Sequence, residues 1–269
     1  MQTRLMVVGV GPDSLGEDVA AQARVHPYFK DGVIDTYDLF GFADTRSDLQ
    51  EEPRFMDVKQ PNTILRALRM SRPTHVVCTV GVNSYVDDAE KHDDPERNFR
   101  SLHRSLAEVM AVNATGVVML ASAFRDMISH ESNETMGLRG EEGDYFAKYR
   151  GFHFAAISSN SAHIARTGST PYCMSKAALS MGMRCIARES ARIRLPIAFT
   201  TYEPGFLSGT PMSLNIVGST DEFQEARYHR IPSGMSMQPT DLSEVILNNM
   251  KVNWNLMNGA CIRLDGGEQ

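Results

Sequence analysis

Tyr172 and Lys176 stand four residues apart in the run Tyr172-Cys-Met-Ser-Lys176. The segment reads as helix: Thr170 suits an N-cap, Pro171 suits the first turn, and Ala177, Ala178, Leu179 and Met181 follow. Residues i and i+4 share a helix face, so a phenol and an ammonium can point into one site. A free phenol titrates near pH ~10 and is a poor acid–base group at neutrality. A neighbouring cation favours the phenolate and pulls that value down. The pair therefore suits proton transfer to or from an oxygen. The same pattern also fits an ordinary exposed helical pair, and the surroundings decide.

Two further polar residues belong with this pair. Phe152-His-Phe-Ala-Ala-Ile-Ser-Ser159 is an apolar run ending in two serines, and it predicts a buried strand over 152–158 with a loop after it. Ser159, thirteen residues before Tyr172, can hydrogen-bond the oxygen that Tyr172 serves; it also fits a plain loop serine. Asn113 interrupts a long apolar-periodic segment (Leu102, Leu106, Val109, Met110, Val117, Leu120, Phe124), although asparagine is a mediocre helix former.

The N-terminal part supplies a site for a phosphate-bearing ligand. Leu5-Met-Val-Val-Gly-Val-Gly11 runs into Ser14 and Gly16 and then an alanine-rich segment, which predicts strand, glycine turn and helix. Such a turn brings backbone N–H groups and a helix N-terminus to a pyrophosphate. The second predicted strand, Val33–Asp38, ends in Asp38, 22 residues beyond Gly16. A carboxylate about 20 residues past the turn accepts the free hydroxyls of a ribose and repels a 2′-phosphate. No Lys or Arg lies between Gly9 and Ala23, where an extra phosphate would need a cation. This predicts NAD in preference to NADP; Asp38 as a simple turn cap, or Arg46 from the next loop, would relax the preference.

Together these residues resemble the short-chain dehydrogenase/reductase family, of the compact type, along essentially the whole chain. Asn113, Ser159, Tyr172 and Lys176 fall in the order of that family's catalytic tetrad. The flanking text matches in Val112-Asn113-Ala-Thr-Gly116, Ile157-Ser-Ser159 and Tyr172-Cys-Met-Ser-Lys-Ala-Ala-Leu179. Asp57-Val58 resembles the pair that closes the third strand beside adenine. Pro204-Gly205 resembles the turn after the sixth strand, and Leu264-Asp-Gly-Gly267 the closing motif. The resemblance implies hydride exchange between a nicotinamide cofactor and an alcohol/ketone pair. Tyr172 would be acid or base, Lys176 would tune it and hold the nicotinamide ribose, and Ser159 would polarise the substrate oxygen. Asn113 would support a water-linked relay behind Lys176. Cofactor contacts would come from Gly9, Gly11, Ser14, Leu15, Gly16, Asp38, Asp57, Val58, Gly81, Tyr172, Lys176, Pro204, Gly205, Leu207 and Thr210. It further implies a homo-oligomer, tetramer or dimer, through the helices predicted at 98–129 and 170–193.

Three departures fall on cofactor contacts. One motif glycine is replaced by Ser14 in a loop with an extra residue. The usual N-N-A-G reads Cys78-Thr79-Val80-Gly81, and the threonine expected after Pro204-Gly205 is Gly209, with Thr210 one step on. An enoyl-reductase-like enzyme acting on a C=C bond, and a non-catalytic dinucleotide-sensing protein of the same fold, are the competing readings. The three-residue spacing of Tyr172 and Lys176 disfavours the first and the complete tetrad the second.

Composition agrees. A chain of 269 residues with 42% hydrophobic content can bury the core of one α/β domain, residues 1–269. The net charge of −6 and the lack of a basic stripe argue against a nucleic-acid partner. Leu5–Val10 is too short for a membrane span or signal core. Four cysteines without C-x-x-C spacing fit reduced thiols and a cytoplasmic setting, and the eight histidines show no metal-ligand spacing.

Alternating elements predict a single-domain, Rossmann-like, doubly wound parallel sheet of about seven strands, near 5–10, 33–38, 54–57, 75–80, 152–158, 196–202 and 260–264. Helices are expected over 15–27, 61–71, 98–129, 170–193 and 240–250. Residues 130–150, polar and acidic, read as a surface insertion. Residues 205–239, rich in Gly, Ser, Pro and Met, read with the resemblance as a substrate lid, with Met212, Met235 and Met237 as adaptable apolar contacts.

Overall fold

A computed structural model describes residues 3–38, 54–83, 94–137, 151–214, 229–251 and 254–268. Seven strands run parallel: β1 (Arg4–Val8), β2 (Val33–Asp38), β3 (Arg54–Phe55), β4 (His75–Cys78), β5 (Phe152–Ile157), β6 (Ile197–Pro204) and β7 (Cys261–Leu264). Their order across the sheet is β3-β2-β1-β4-β5-β6-β7. The chain reverses its direction of winding between β1 and β4, and the crevice at the carboxyl ends of those strands is where such folds bind ligands. The expected seven-stranded, doubly wound sheet is the observed one.

The central strands β1, β4 and β5 are buried on both faces because helices cover both. Along β1, Leu5 and Val7 point to one layer, Met6 and Val8 to the other, as period-two geometry requires. The Leu5 layer packs on α1 (Leu15–Val25) and α7 (Pro239–Asn249). The Met6 layer packs on α2 (Pro61–Ser71), α4 (Val117–Gly137) and α5 (Thr170–Arg192). Leu120, Phe124, Phe154 and Phe199 are wholly buried there, and burying each such side chain is worth about 1.5–3 kcal/mol.

The helical run starts earlier and ends later than the periodicity predicts. α3 (Pro95–Met110) begins at Asp94, whose carboxylate accepts from the N–H groups of Glu96 and Arg97, an N-cap followed by proline. α4 extends to Gly137, through residues assigned from the sequence to an insertion, because 130–136 contain no proline or glycine to stop it. The remainder of that segment lies outside the described residues. Among the described residues, the run 95–130 alone is long and apolar enough to cross a membrane, but it lays Val112, Val117, Leu120, Ala121, Phe124 and Ile128 against the sheet. A short α6 (Pro211–Leu214) and α8 (Trp254–Met257) complete the elements. Cys78, Cys173, Cys185 and Cys261 are all free thiols.

Candidate active site

The turn after β1 is built by close approach. Gly9 has φ +93°, and a Cβ there would meet Thr79 Oγ1 at 2.8 Å and Val80 N at 2.9 Å. Thr79, which replaces an asparagine of the resembled motif, has its hydroxyl 2.9 Å from the Val8 carbonyl and 3.0 Å from that of Gly9. It thereby ties the end of β4 to the turn. Ser14, in place of a glycine, is the N-cap of α1: its Oγ accepts from Glu17 N and reaches the Gly9 carbonyl, both at 3.2 Å. The extra loop residue is absorbed by Asp13, whose φ is 54°. The departures are thus accommodated by specific bonds. The N-terminus of α1 stays at the cavity, where its free N–H groups favour an anion.

A cavity of about 730 Å³ runs from this turn along the carboxyl ends of the strands. Gly9, Gly11, Ser14 and Leu15 line one end, with Asp38 from β2, and Asp57 and Val58 after β3. Gly16 does not line it; a Cβ on Gly16 would collide with the Gly9 carbonyl, so its role is to let α1 seat against the turn. Asp38 Oδ2 lies 3.4 Å from the position of a Cβ on Gly11, which puts the carboxylate beside the glycine turn. Asp57 is buried, with Oδ1 accepting from Lys59 N at 2.8 Å and Oδ2 from Gln60 Nε2 at 3.1 Å. Arg46, the competing cation, lies outside the described residues.

The other half of the cavity carries the residues expected to do acid–base chemistry. Tyr172, Lys176 and Ser159 line it together with Gly81. The cap of α5 falls one residue before the expected one: Ser169 is the N-cap, with no side-chain cap bond, and Thr170 is already helical. Lys176 is 3% exposed, donates to the Ile157 carbonyl at 2.8 Å and has its Nζ 5.6 Å from the centre of the Tyr172 ring. Burial pushes its ammonium down to about 8. A Cβ on Gly81 would come within 3.3 Å of this nitrogen. Cys78, buried at the end of β4, has its thiol pushed up to about 11 by the same burial, against a smaller pull from Lys176. Ser159 Oγ accepts from Ser161 N at 3.1 Å and so caps the 3₁₀ turn Asn160–Ala162.

Asn113 stands behind this wall, wholly buried in a π-helical segment, Ala111–Gly116, between α3 and α4. π-turns inside α-helices are frequent at functional sites. Its Oδ1 accepts from Val82 N and its Nδ2 donates to Val82 O, each at 2.8 Å, and Nδ2 also reaches Ser175 Oγ at 3.0 Å. Asn113 thus clamps the segment after β4 to the helix bearing Tyr172 and Lys176.

Pro204, Gly205, Leu207 and Thr210 line the cavity from the segment after β6, and Thr210 Oγ1 accepts from Ser213 N at 3.2 Å. Of the three lid methionines, Met212 alone lines the cavity. Met235 is 74% exposed, and Met237 pairs with Leu207 and packs on the core. Residues 215–228 of the expected lid lie outside the described residues. Sequence reasoning missed Asn160, Ser161 and Arg166 on this wall. The available signal was Arg166 itself, the single Lys or Arg between Ser159 and Tyr172.

No protein-family model and no curated protein matches the chain. Solved structures do. A short-chain dehydrogenase family protein from Francisella tularensis subsp. tularensis SCHU S4 superposes with TM-score 0.69 at 17% identity, over 99% of this chain and 98% of that one. A short-chain type dehydrogenase/reductase from Mycobacterium marinum gives 0.68 at 19%, over 99% and 95%. The aldohexose dehydrogenase of Thermoplasma acidophilum, in ligand-free form, gives 0.67 at 15%, over 99% and 94%. At these identities the likeness is one of fold, and it extends over nearly the whole of each chain.

Proposed function

From a chain that carries the short-chain dehydrogenase/reductase fold along its whole length, we infer an oxidoreductase of that family, interconverting an alcohol and a ketone with a nicotinamide cofactor. The observation that carries this reading is the Tyr172–Lys176 pair, on one face of α5, in the wall of the cavity at the switch in strand order. The cavity residues fit a dinucleotide. The backbone at Gly9 leaves no room for a side chain, the capped N-terminus of α1 offers N–H groups to a pyrophosphate, and Asp38 stands beside the turn for a ribose diol. Gly11, Ser14, Leu15, Asp57, Val58, Gly81, Pro204, Gly205, Leu207 and Thr210 would complete the contacts, with NAD preferred over NADP.

The cofactor, when bound, supplies or accepts the hydride. Tyr172 donates the proton to the carbonyl oxygen in reduction and removes it from the hydroxyl in oxidation. Lys176 presents its ammonium to the Tyr172 ring and is held by the Ile157 carbonyl, and it would hold the nicotinamide ribose. Ser159 polarises the substrate oxygen. Asn113 keeps Val82 and the Tyr172 helix in register, a positioning role beside the relay expected of it. The test is NAD and NADP reduction against a panel of secondary alcohols; no turnover with any of them would reject the reading.

Assembly as a homo-oligomer, tetramer or dimer, belongs to the same proposal. Phe99 of α3 is 70% exposed, and Met174 and Met181 of α5 are about half exposed, all on the helices expected to meet a second copy. A monomeric mass by light scattering at micromolar concentration would reject it.

A further inference from the structure

Arg166 borders the cavity between Ser159 and Tyr172, and the proton chemistry makes no use of it. Its Nη2 donates to Glu268 Oε1 at 3.0 Å and to Asn160 Oδ1 at 3.1 Å, and its Nε donates to Ser161 Oγ at 3.1 Å. Asn160 Nδ2 donates to the second oxygen of Glu268 at 2.9 Å. Asn160 is 1% exposed, Ser161 5% and Glu268 6%. One edge of the guanidinium is therefore fixed by three buried partners. Among the described residues nothing takes Nη1, so its two N–H groups are the donors left for an occupant of the cavity.

Glu268 reaches Arg166 through a tight glycine turn. Gly266 and Gly267 have φ +64° and +86°. A Cβ on Gly266 would collide with Ser233 Oγ and lie 2.6 Å from Ile231 Cγ2. The Arg263 guanidinium holds the Glu268 carbonyl, and Ser233 N donates to the Gly266 carbonyl at 3.1 Å. The segment after β7 is thus folded back and fastened before any ligand arrives, so little ordering cost remains for binding.

The charges on the wall cancel. Glu268, bonded to the Nη2 edge and outside the cavity lining, offsets the guanidinium charge, so a carboxylate ligand at Nη1 meets no net positive charge, whereas a neutral oxygen gains a charge-assisted bond with no net charge left over. We propose that Arg166 is a specificity-determining residue. It seats a second oxygen, hydroxyl or carbonyl, of a neutral polyoxygenated substrate such as a diol or hydroxyketone, and Glu268 disfavours hydroxy acids. The proposal rests on the oxidoreductase reading of the same cavity.

The experiment compares 2,3-butanediol, 2-butanol and 2-hydroxybutanoate with NAD, using wild type, Arg166→Met and Glu268→Gln. A hydrogen bond to a charged group is worth about 1.5–3 kcal/mol, so wild-type kcat/KM for the diol exceeds that for the mono-alcohol by about ten-fold or more. Arg166→Met brings the two within three-fold, and Glu268→Gln moves preference toward the hydroxy acid. An unchanged diol-to-alcohol ratio in Arg166→Met overturns the proposal, as does an equal loss on both substrates. The same series is read as ligand-induced shifts in Tm with NAD present, which require no turnover. A diol-specific shift that Arg166→Met abolishes supports Arg166 even if no substrate turns over, a result that would sink the oxidoreductase reading alone. No diol-specific shift in wild type overturns the Arg166 assignment.

Discussion

Lys176 Nζ lies 5.6 Å from the centre of the Tyr172 ring while bound at 2.8 Å to the Ile157 carbonyl. The cation is therefore anchored by the strand, and the phenol by the helix, so their separation is set by where this bond ties α5 to the end of β5 rather than by side-chain freedom.

Removing the transferable proton while keeping the ring isolates the chemistry. Tyr172→Phe is expected to retain fold and NAD affinity while losing about 10²–10⁴-fold in turnover. Steady-state rates and a dinucleotide titration check this, and activity within three-fold of wild type would defeat the acid–base assignment.

Lys176 carries a stability cost that depends on pH. Its ammonium titrates near 8 in the fold, below its ordinary value, because burial penalises the charged form. The fold therefore bears the full penalty below pH 8 and sheds it as pH rises toward the unfolded value near ~10.4. Lys176→Met is expected to be inactive yet more stable at pH 7, by on the order of 3 kcal/mol before the lost Ile157 bond is deducted. That difference closes above pH ~10. Denaturant midpoints for both proteins across this range are the measurement, and a pH-independent difference would reject it.

Asp38 stands beside the glycine turn, with no Lys or Arg between Gly9 and Ala23 to receive a 2′-phosphate. Wild type is expected to favour NAD(H). Asp38→Ala should shift the NADP-to-NAD ratio of kcat/KM by about 10–100-fold, the scale of one or two charge-assisted bonds. Equal or better wild-type efficiency with NADP(H) would remove Asp38 from the cofactor site.

At the opposite end of the sheet, His75 and His153 pair in register on β4 and β5, their rings stacked 5.3 Å apart. Burial first, and His153 second, holds the His75 imidazole well below its usual range. The unfolded chain takes up this proton first, so stability falls as pH drops below ~6.5, by up to about 1.4 kcal/mol per pH unit for one group. His75→Leu should flatten the dependence of Tm on pH between 7 and 5. An equally steep fall in the variant would assign the acid loss elsewhere.

The sheet was legible because most of its strands are apolar runs stopped by Gly, Ser, Asp or Pro, and residues that line the cavity sit at these stops. Ser159 and Asp38 followed from the same punctuation, and Tyr172 with Lys176 from their four-residue helical spacing. Helix ends were less legible. Thr170 and Ser169 are equally good caps by composition, and only backbone geometry chose Ser169. Arg166 and Glu268 were invisible together, since they lie about a hundred residues apart and meet only through the fold-back at Gly266 and Gly267. Met235 shows the converse: a residue apt for a binding lid by type faces outward.

Cys78 gives the molecule an internal clock. A thiol held in the protonated state, shut behind Lys176 at the end of β4, can react with an alkylating reagent only when the strand end is uncovered. Its labelling rate therefore counts openings of the crevice between β1 and β4, separately from the fraying of outer segments. Any ligand that bridges the Gly9 turn and Lys176 has to slow that clock, whether or not it is ever turned over.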